Sequence, residues 1–223
     1  MDITKIKSPC KPGRPDKESL ACKTRGREAT MDRLLKAGIE VFATHGFDAA
    51  TTKLIAQEAG INESLINRYF DGKEGLLVAI IRTYVECERT QGPFENYPRG
   101  ETVAEELRHF FKAMHEHHLK RRELTRIFMS RAMIDTKVRD ELKKFSEKGA
   151  PPILIQRLKD HQDKGLIRSD VDVAKAAAVI GNAAFSMIFI NHIVMGTDAE
   201  FIKEAMSAFA EQYARGLSGA LEL

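Results

Sequence analysis

One stretch of the chain, from Thr51 to Phe70, constrains the fold more than any other. Its sequence, TTKLIAQEAGINESLINRYF, predicts two short helices, at about 52–59 and 63–70, joined by a turn. Each helix has an apolar side, formed by Leu54, Ile55 and Ala59 in the first and by Leu65, Ile66, Tyr69 and Phe70 in the second. The turn contains Gly60, which favours the left-handed conformation that ends a helix, and Asn62, which favours the start of the next one.

The spacing of small and branched residues in this stretch allows the two helices to cross closely. Ala56 precedes Gly60 by four residues, and Ile61 and Ile66 are placed to fill the angle between the helices. This register is typical of a helix-turn-helix, whose second helix enters the major groove of DNA. A longer amphipathic helix is predicted upstream, at about 24–45, with one apolar face made by Met31, Leu34, Leu35, Gly38, Ile39 and Phe42. Gly46 is expected to end it.

With these surroundings the chain resembles the TetR family of bacterial transcriptional regulators. The matching residues are Phe42, Gly46-Phe47, Thr51, Ile55-Ala56, Ala59-Gly60-Ile61, Tyr69-Phe70 and Lys73-Glu74. The resemblance is close over about 27–81, and further along it is only a pattern of helices. It implies a homodimer that represses transcription from a palindromic operator in double-stranded DNA. It also implies a small-molecule effector, of unknown identity, that changes the spacing of the two recognition helices.

Four side chains of the second helix of the motif are left over after packing and are candidates for reading bases: Glu63, Ser64, Asn67 and Arg68. Arg68 can pair with guanine, Asn67 with adenine, and Glu63 can accept a hydrogen bond from cytosine. The family usually has a tyrosine at the position of Asn67, so this chain exchanges a typical phosphate contact for a base-reading side chain.

Other residues of the motif are candidates for contacts with the DNA backbone. Thr51 and Thr52 lie at the start of the first helix, and Tyr69 is expected to pack with its hydroxyl group towards a phosphate. The sequence Asp71-Gly72-Lys73-Glu74 has the form of a capping box, with Asp71 as the cap of the following helix. Lys73, beside the free amide groups of that helix, is predicted to contact a phosphate.

The N-terminal residues carry the net positive charge of the chain. Residues 1–36 contain ten Lys or Arg against five Asp or Glu, a net charge of +5, so the remainder sums to −2 for a total of +3. Within them the sequence Lys11-Pro12-Gly13-Arg14-Pro15 is suited to an extended segment, with Arg14 reaching into a minor groove. A solvated tail is the alternative.

The predicted fold class is all-α, with about nine helices and four parts. These are a basic flexible arm (1–23), a three-helix DNA-binding domain (24–72), a connecting helix (73–91) and a larger domain for ligand binding and dimerisation (92–223). The hydrophobic content of 43% and charged content of 30% fit a packed protein in water.

Several other functions are disfavoured. The three cysteines are scattered, which predicts reduced thiols, and no Gly-rich phosphate loop, nucleophile elbow or paired carboxylates indicate an enzyme or a cofactor. The sequence His115-Glu116-His117-His118 lacks further metal ligands nearby and is interpreted as a solvated helix face. The N-terminus lacks the apolar segment of a signal peptide, and polar residues interrupt the apolar run 176–195, so a cytoplasmic protein with no membrane span is expected.

Two groups of mostly apolar residues in the larger domain are assigned roles. Residues that could line an effector pocket, with ordinary core as the alternative, are Phe110, Met114, Phe128, Met133, Asn182, Phe185 and Phe189. Residues expected at the dimer interface, where the resemblance implies that the last two helices pair with their twins, are Ala177, Ile180, Ala184, Phe201, Ala205, Phe209 and Tyr213. A DNA-binding regulator without an effector, and an α-helical enzyme with an autoregulatory DNA-binding domain, remain the alternatives.

Overall fold

The computed structural model describes residues 21–91, 96–147 and 150–219, and every regular element in these ranges is a helix. The helices are α1 (Ala21–Ala49), α2 (Thr52–Ala59), α3 (Ser64–Phe70), α4 (Gly72–Gln91), α5 (Val103–Lys120), α6 (Arg122–Ile134), α7 (Thr136–Glu147), α8 (Pro152–Asp163), α9 (Val173–Ser186, continued by a π-helical segment, Met187–Val194) and α10 (Ala199–Ser218). The predicted all-α class is confirmed, with ten helices in these ranges.

The chain forms two compact units. The first combines the described residues up to Cys87 with Ile127–Lys143, and the second combines the described parts of Glu88–Arg126 and Lys144–Leu223. Most of α6 and α7 therefore packs with the N-terminal helices, although the sequence analysis assigned both helices to the larger domain.

The core of the first unit forms where α1 and α4 bury their apolar faces. Leu34 and Phe42 of α1 are fully buried, as are Leu76, Leu77, Ile80 and Ile81 of α4. Gly38 allows the helices to approach closely, since a Cβ atom there would lie 2.9 Å from Cδ1 of Ile80. Helix α1 is interrupted at Gly46, which has a φ of 74° and a ψ of 169°. The predicted helix end at this glycine is thus present as a break in the helix.

Ion pairs and aromatic contacts attach α6 and α7 to the rest of the first unit. Arg82 of α4 donates two hydrogen bonds, both of 3.0 Å, to the carboxylate of Glu141 in α7. The guanidinium carbon of Arg131 in α6 lies 4.3 Å from the ring centroid of Phe47, and its Nη1 is 3.6 Å from a carboxylate oxygen of Asp48. Arg131 thus holds the corner between α1 and α2, from which the next helix starts.

The core of the second unit is formed by α5, α8, α9 and α10, and it encloses a charged pair. Glu106 is fully buried, and its carboxylate accepts hydrogen bonds from the Gly100 amide at 2.9 Å and from Arg157 at 3.1 Å. Arg157 also donates to the carbonyl oxygens of Tyr97 and Pro98, at 2.9 and 3.1 Å. Burial, reinforced by the charge of Glu106, raises the pKa of Tyr97 well above its usual value. The segment before α5 is therefore anchored to both α5 and α8.

Helix α9 and its π-helical continuation form the most apolar element that the structure describes. The span Val173–Val194 is long enough to cross a membrane. An 18-residue window within it has a mean hydropathy of 1.8, and only 33% of that window is buried in this single chain. The prediction of a buried helix is therefore correct for one face only, because the opposite face is exposed and apolar.

Candidate nucleic-acid interface

Local capping interactions define the helix-turn-helix. The Thr51 side chain caps α2 by accepting a hydrogen bond from the Leu54 amide at 3.1 Å. Gly60 ends α2 in the left-handed conformation, with a φ of 60°. The Asn62 side chain then accepts from the Ser64 amide at 2.9 Å and so caps α3. The predicted turn chemistry is therefore present at each of these positions.

The packing of the motif follows the predicted register with one exception. Ile55, Ala56 and Ile66 are buried, as expected for the residues where α2 and α3 cross. Leu54, which the sequence placed on the same apolar side, is 37% exposed, so that assignment was wrong. Ile55, which was assigned to the same side, is buried, because successive residues are separated by about 100° around an α-helix and only one of the two can face the core here.

Arg33 of α1 supports the turn, a role that the sequence analysis did not identify. Its Nη2 atom donates to the carbonyl oxygen of Ala59 at 2.5 Å and to that of Gly60 at 3.2 Å. The last carbonyl groups of a helix have no partner within the helix, so a cation at this end stabilises it. Arg33 thereby fixes the turn that sets the angle between α2 and α3.

Two of the predicted base-reading side chains are engaged within the motif. The hydroxyl group of Thr52 donates to Glu63 at 2.5 Å, which joins the start of α2 to the residue before α3. The Ser64 hydroxyl donates to the Asn62 side chain at 2.7 Å. Glu63 and Ser64 remain exposed, but reading a base requires each of them to share or exchange these contacts.

Asn67 and Arg68 are exposed on α3, next to the half-buried ring of Tyr69. No hydrogen bond of the Asn67 side chain occurs within the described residues, so both its donor and its acceptor are available. The guanidinium carbon of Arg68 lies 5.9 Å from the centroid of the Tyr69 ring. That of Arg27, from α1, lies 5.4 Å from the same centroid.

Lys73, predicted to contact a phosphate, is directed at the protein itself. Its ammonium group donates to the carbonyl oxygens of Phe47 and Ala50, at 2.8 and 2.9 Å, with that of Asp48 at 3.4 Å. The group also lies 4.4 Å from the centroid of the Phe47 ring. The start of α4 is therefore tied to the corner between α1 and α2.

The corner between α3 and α4 differs from the predicted capping box. Asp71 adopts the left-handed conformation, with a φ of 61°, and its amide donates to the Asn67 carbonyl oxygen at 3.0 Å. Asp71 therefore ends α3 rather than capping α4. The tight corner also depends on Gly75, because a Cβ atom there would overlap the carbonyl oxygen of Phe70.

The remaining predicted DNA contact, Arg14, lies outside the described residues, as does most of the basic arm. The residues proposed for an effector pocket fall into both units. Phe128 is buried against Tyr84 in the first unit, whereas Met133 is 74% exposed there. Phe110, Met114 and Phe189 are buried in the second unit, Phe185 is half-buried, and Asn182 is exposed on α9.

The histidines of α5 are not a solvated face, and that interpretation was wrong. His115 and His117 are buried, at 4% and 3% exposure. The ring of His115 lies 5.2 Å from that of His192, and burial lowers the pKa of His115, with the charges of His192 and Lys203 acting in the same direction. No group of three potential metal ligands occurs among the described residues.

The predicted dimer-interface residues separate into two sets. Ala177, Ile180 and Ala184 face the core of their own protomer and are at most 1% exposed, so they are not available to a second copy. On α10, Phe201 is 59% exposed, and the other three predicted residues, Ala205, Phe209 and Tyr213, are half-buried.

A capped helix-turn-helix with exposed polar side chains on its second helix, in a chain whose described elements are all helices, is typical of a DNA-binding regulator of transcription. Residues 34–80 match the family model described as "Bacterial regulatory proteins, tetR family". The DNA-binding part of the chain is therefore of the TetR family, a family of transcriptional regulators and not of enzymes.

Relatives agree with this assignment. The regulator UidR of Escherichia coli K12 is 24% identical over 161 residues, which cover 72% of this chain and 81% of that protein. BetI of Vibrio campbellii is 42% identical over 55 residues, 25% of this chain and 28% of that protein. The structure of Salmonella enterica GusR, 23% identical, matches with a TM-score of 0.63 over 86% of this chain and 96% of that one. The last comparison shows the fold.

Proposed function

We propose that this regulator is a homodimeric, cytoplasmic repressor that binds a palindromic operator and is released by a small molecule. The observation that carries the operator-binding part is the exposed surface of α3, where Asn67 and Arg68 lie beside the capped turn. One such helix contacts only a few base pairs, so recognition of a particular operator requires two copies related by symmetry.

The exposed face of α9 supports the homodimer. Exposed positions recur every three or four residues along this helix and its continuation, at Val179, Asn182, Ser186, Ile190 and Val194. The three apolar members are 45–53% exposed. An apolar stripe of this kind on a protein in water is typical of an interface. A second copy would cover it with the same face, together with the exposed Phe201 of α10.

The oligomeric state tests this part of the proposal. Sedimentation equilibrium of the wild-type protein is expected to give twice the mass of one chain, and Val179→Glu should shift the equilibrium towards the monomer. Met133→Glu is the matched control, because it also places a carboxylate on an exposed apolar residue but belongs to α6. A monomeric wild-type protein, or equal dissociation of both variants, would contradict the proposal.

Operator recognition can be tested by selecting duplexes from a random pool with the purified protein. We expect the selected sequences to contain two inverted half-sites. Their centres should be separated by one helical turn of DNA, roughly 34–36 Å, or by a multiple of that distance. The upstream region of the protein's own gene is the first natural duplex to measure. Selection of no common sequence would contradict the proposal of a specific repressor.

Release by an effector is supported by the family resemblance and by the aromatic residues of the second unit. The alternative of an effector-independent regulator is favoured by the complete burial of Phe110 and Leu107 in that core. Metabolite mixtures should be screened for compounds that raise the melting temperature and also release a labelled operator duplex. A compound that does both supports the effector, whereas stabilisation without release in every case supports the alternative.

A further inference from the structure

Two arginines from different helices converge on one tyrosine ring at the end of the recognition helix. Arg27 lies near the start of α1, and Arg68 lies on α3, yet their guanidinium carbons are 5.4 and 5.9 Å from the centroid of the Tyr69 ring. Both arginines are exposed, and Tyr69 is half-buried. Packing of α1 against the helix-turn-helix therefore creates a site that is absent from either helix alone.

The charges at this site are not neutralised within the described part of the chain. Other arginines of the same unit contact carboxylates: Arg82 pairs with Glu141, and Arg131 lies near Asp48. Neither Arg27 nor Arg68 forms an ion pair with an acidic side chain among the described residues. The face of an aromatic ring attracts each cation weakly, by about 0.5–1 kcal/mol at an exposed site, and leaves their positive charge in place. Two like charges beside one aromatic ring favour an anion near that ring.

From this geometry we infer that Arg27, Arg68 and Tyr69 form a clamp for a phosphate group of the DNA backbone, flanking the base pairs read by α3. Planar guanidinium groups bind phosphate through two parallel hydrogen bonds, and the tyrosine hydroxyl supplies a further donor. Arg27 lies outside the motif and holds the backbone rather than a base. Arg68 shares the same ring and the same phosphate, so it supplies affinity rather than guanine recognition.

A division of labour on α3 follows from the clamp. Glu63 and Ser64 are engaged within the motif, and Arg68 belongs to the clamp, which leaves Asn67 as the reader of a base. An amide side chain with free donor and acceptor matches the edge of adenine in the major groove.

The clamp is tested by measuring binding to two labelled duplexes, a random-sequence duplex and one selected by the wild-type protein, over a series of salt concentrations. The variants are Arg27→Gln, Arg68→Gln and the double variant, and circular dichroism checks that each one folds. Lys36→Gln is the matched control, since it removes one exposed positive charge from α1 away from Tyr69. Arg27→Lys keeps the charge and loses the planar guanidinium.

Each clamp variant should weaken binding to both duplexes alike, because a backbone contact carries no sequence information. The slope of log affinity against log salt should become shallower by about 0.9 per protomer, so the change in affinity between 50 and 200 mM salt shrinks by about 3.5-fold per contact. Arg27→Lys should keep most of the slope. Asn67→Ala should instead weaken only the selected duplex, on the order of tenfold, with little change in slope.

Two results would overturn the clamp. One is a slope for Arg27→Gln that equals that of Lys36→Gln. The other is an Arg68→Gln variant that loses affinity only for duplexes with one particular G·C pair, as expected for a base reader. The inference rests on DNA binding by this regulator, but the random-duplex measurement decides it even if no common sequence is selected. A failure of selection would count against the proposed repressor function alone.

Discussion

Lys73 offers a test that separates a structural tie from a DNA contact. The Lys73→Met substitution keeps most of the length of the side chain and removes the ammonium group that donates to the carbonyl oxygens of Phe47 and Ala50. If the main role of Lys73 is to hold the corner between α1 and α2, the variant should have a lower free energy of unfolding. If Lys73 chiefly contacts a phosphate, stability should be unchanged and the salt dependence of DNA binding should fall.

The size of the stability loss follows from the geometry. Two hydrogen bonds from a charged donor, at 2.8 and 2.9 Å, are worth about 1.5 kcal/mol each at the lower end of the usual range. The contact at 3.4 Å adds little. Lys73 is half-buried, so solvent screening reduces the total to about 2 kcal/mol. For a chain of this size that corresponds to a decrease in melting temperature of roughly 4–8 °C.

The chain contains no tryptophan, so thermal unfolding is best followed by circular dichroism or calorimetry. Wild type, Lys73→Met and the control Lys36→Met should be compared at one protein concentration, because association shifts the melting temperature. The same proteins should then be titrated with duplex DNA over several salt concentrations. A Lys73→Met variant that melts within about 1 °C of wild type and loses about 0.9 of the salt slope per protomer would refute the structural role.

Three further changes have expected outcomes. Arg33→Met should lower the free energy of unfolding by about 1–2 kcal/mol, since two carbonyl groups at the end of α2 lose a charged donor, and chemical denaturation should show it. Gly75→Ala should destabilise the first unit by about 1–3 kcal/mol or more and abolish specific DNA binding, because α4 must move away from the Phe70 carbonyl group. The control is Gly216→Ala on α10, where no atom lies within 4 Å of the added carbon. Burial lowers the pKa of His115, so the unfolded chain binds a proton at this residue more readily than the folded chain does. The free energy of unfolding should therefore fall as the pH decreases below about 6.5. Denaturation between pH 5 and 8 should show a smaller fall in His115→Leu.

The helix-turn-helix could be predicted from the sequence because its signals are local. The Thr51 and Asn62 side chains cap amide groups two or three residues away, and Gly60 ends α2 by its own left-handed conformation. The residue types at these positions are therefore nearly sufficient to predict the two helices and the turn. The same kind of reasoning failed at Asp71. A residue with capping chemistry can end one helix or begin the next. Asp71 ends α3, and Gly75 packs closely against the same end of that helix.

The dimer prediction shows a different limit. Composition marked α9 as an apolar helix, but Ala177, Ile180 and Ala184, which were predicted to face a second copy, are buried in their own protomer. An apolar helix offers several faces to a partner, and periodicity cannot say which one its own protomer covers. The structure shows that the covered face is the one with small residues, while Val179 and Val194 remain exposed.

The sequence by itself determined the helical class, the position of the helix-turn-helix and the family, because periodicity, capping and turn residues act over a few positions. Only the tertiary structure decided which charged side chains are free to meet DNA. Lys73 is held by a corner more than twenty residues away, and Arg27 meets Arg68 at Tyr69 across two helices. Such pairings depend on how the helices pack against one another, and the spacing of residues along the chain carries no record of that packing.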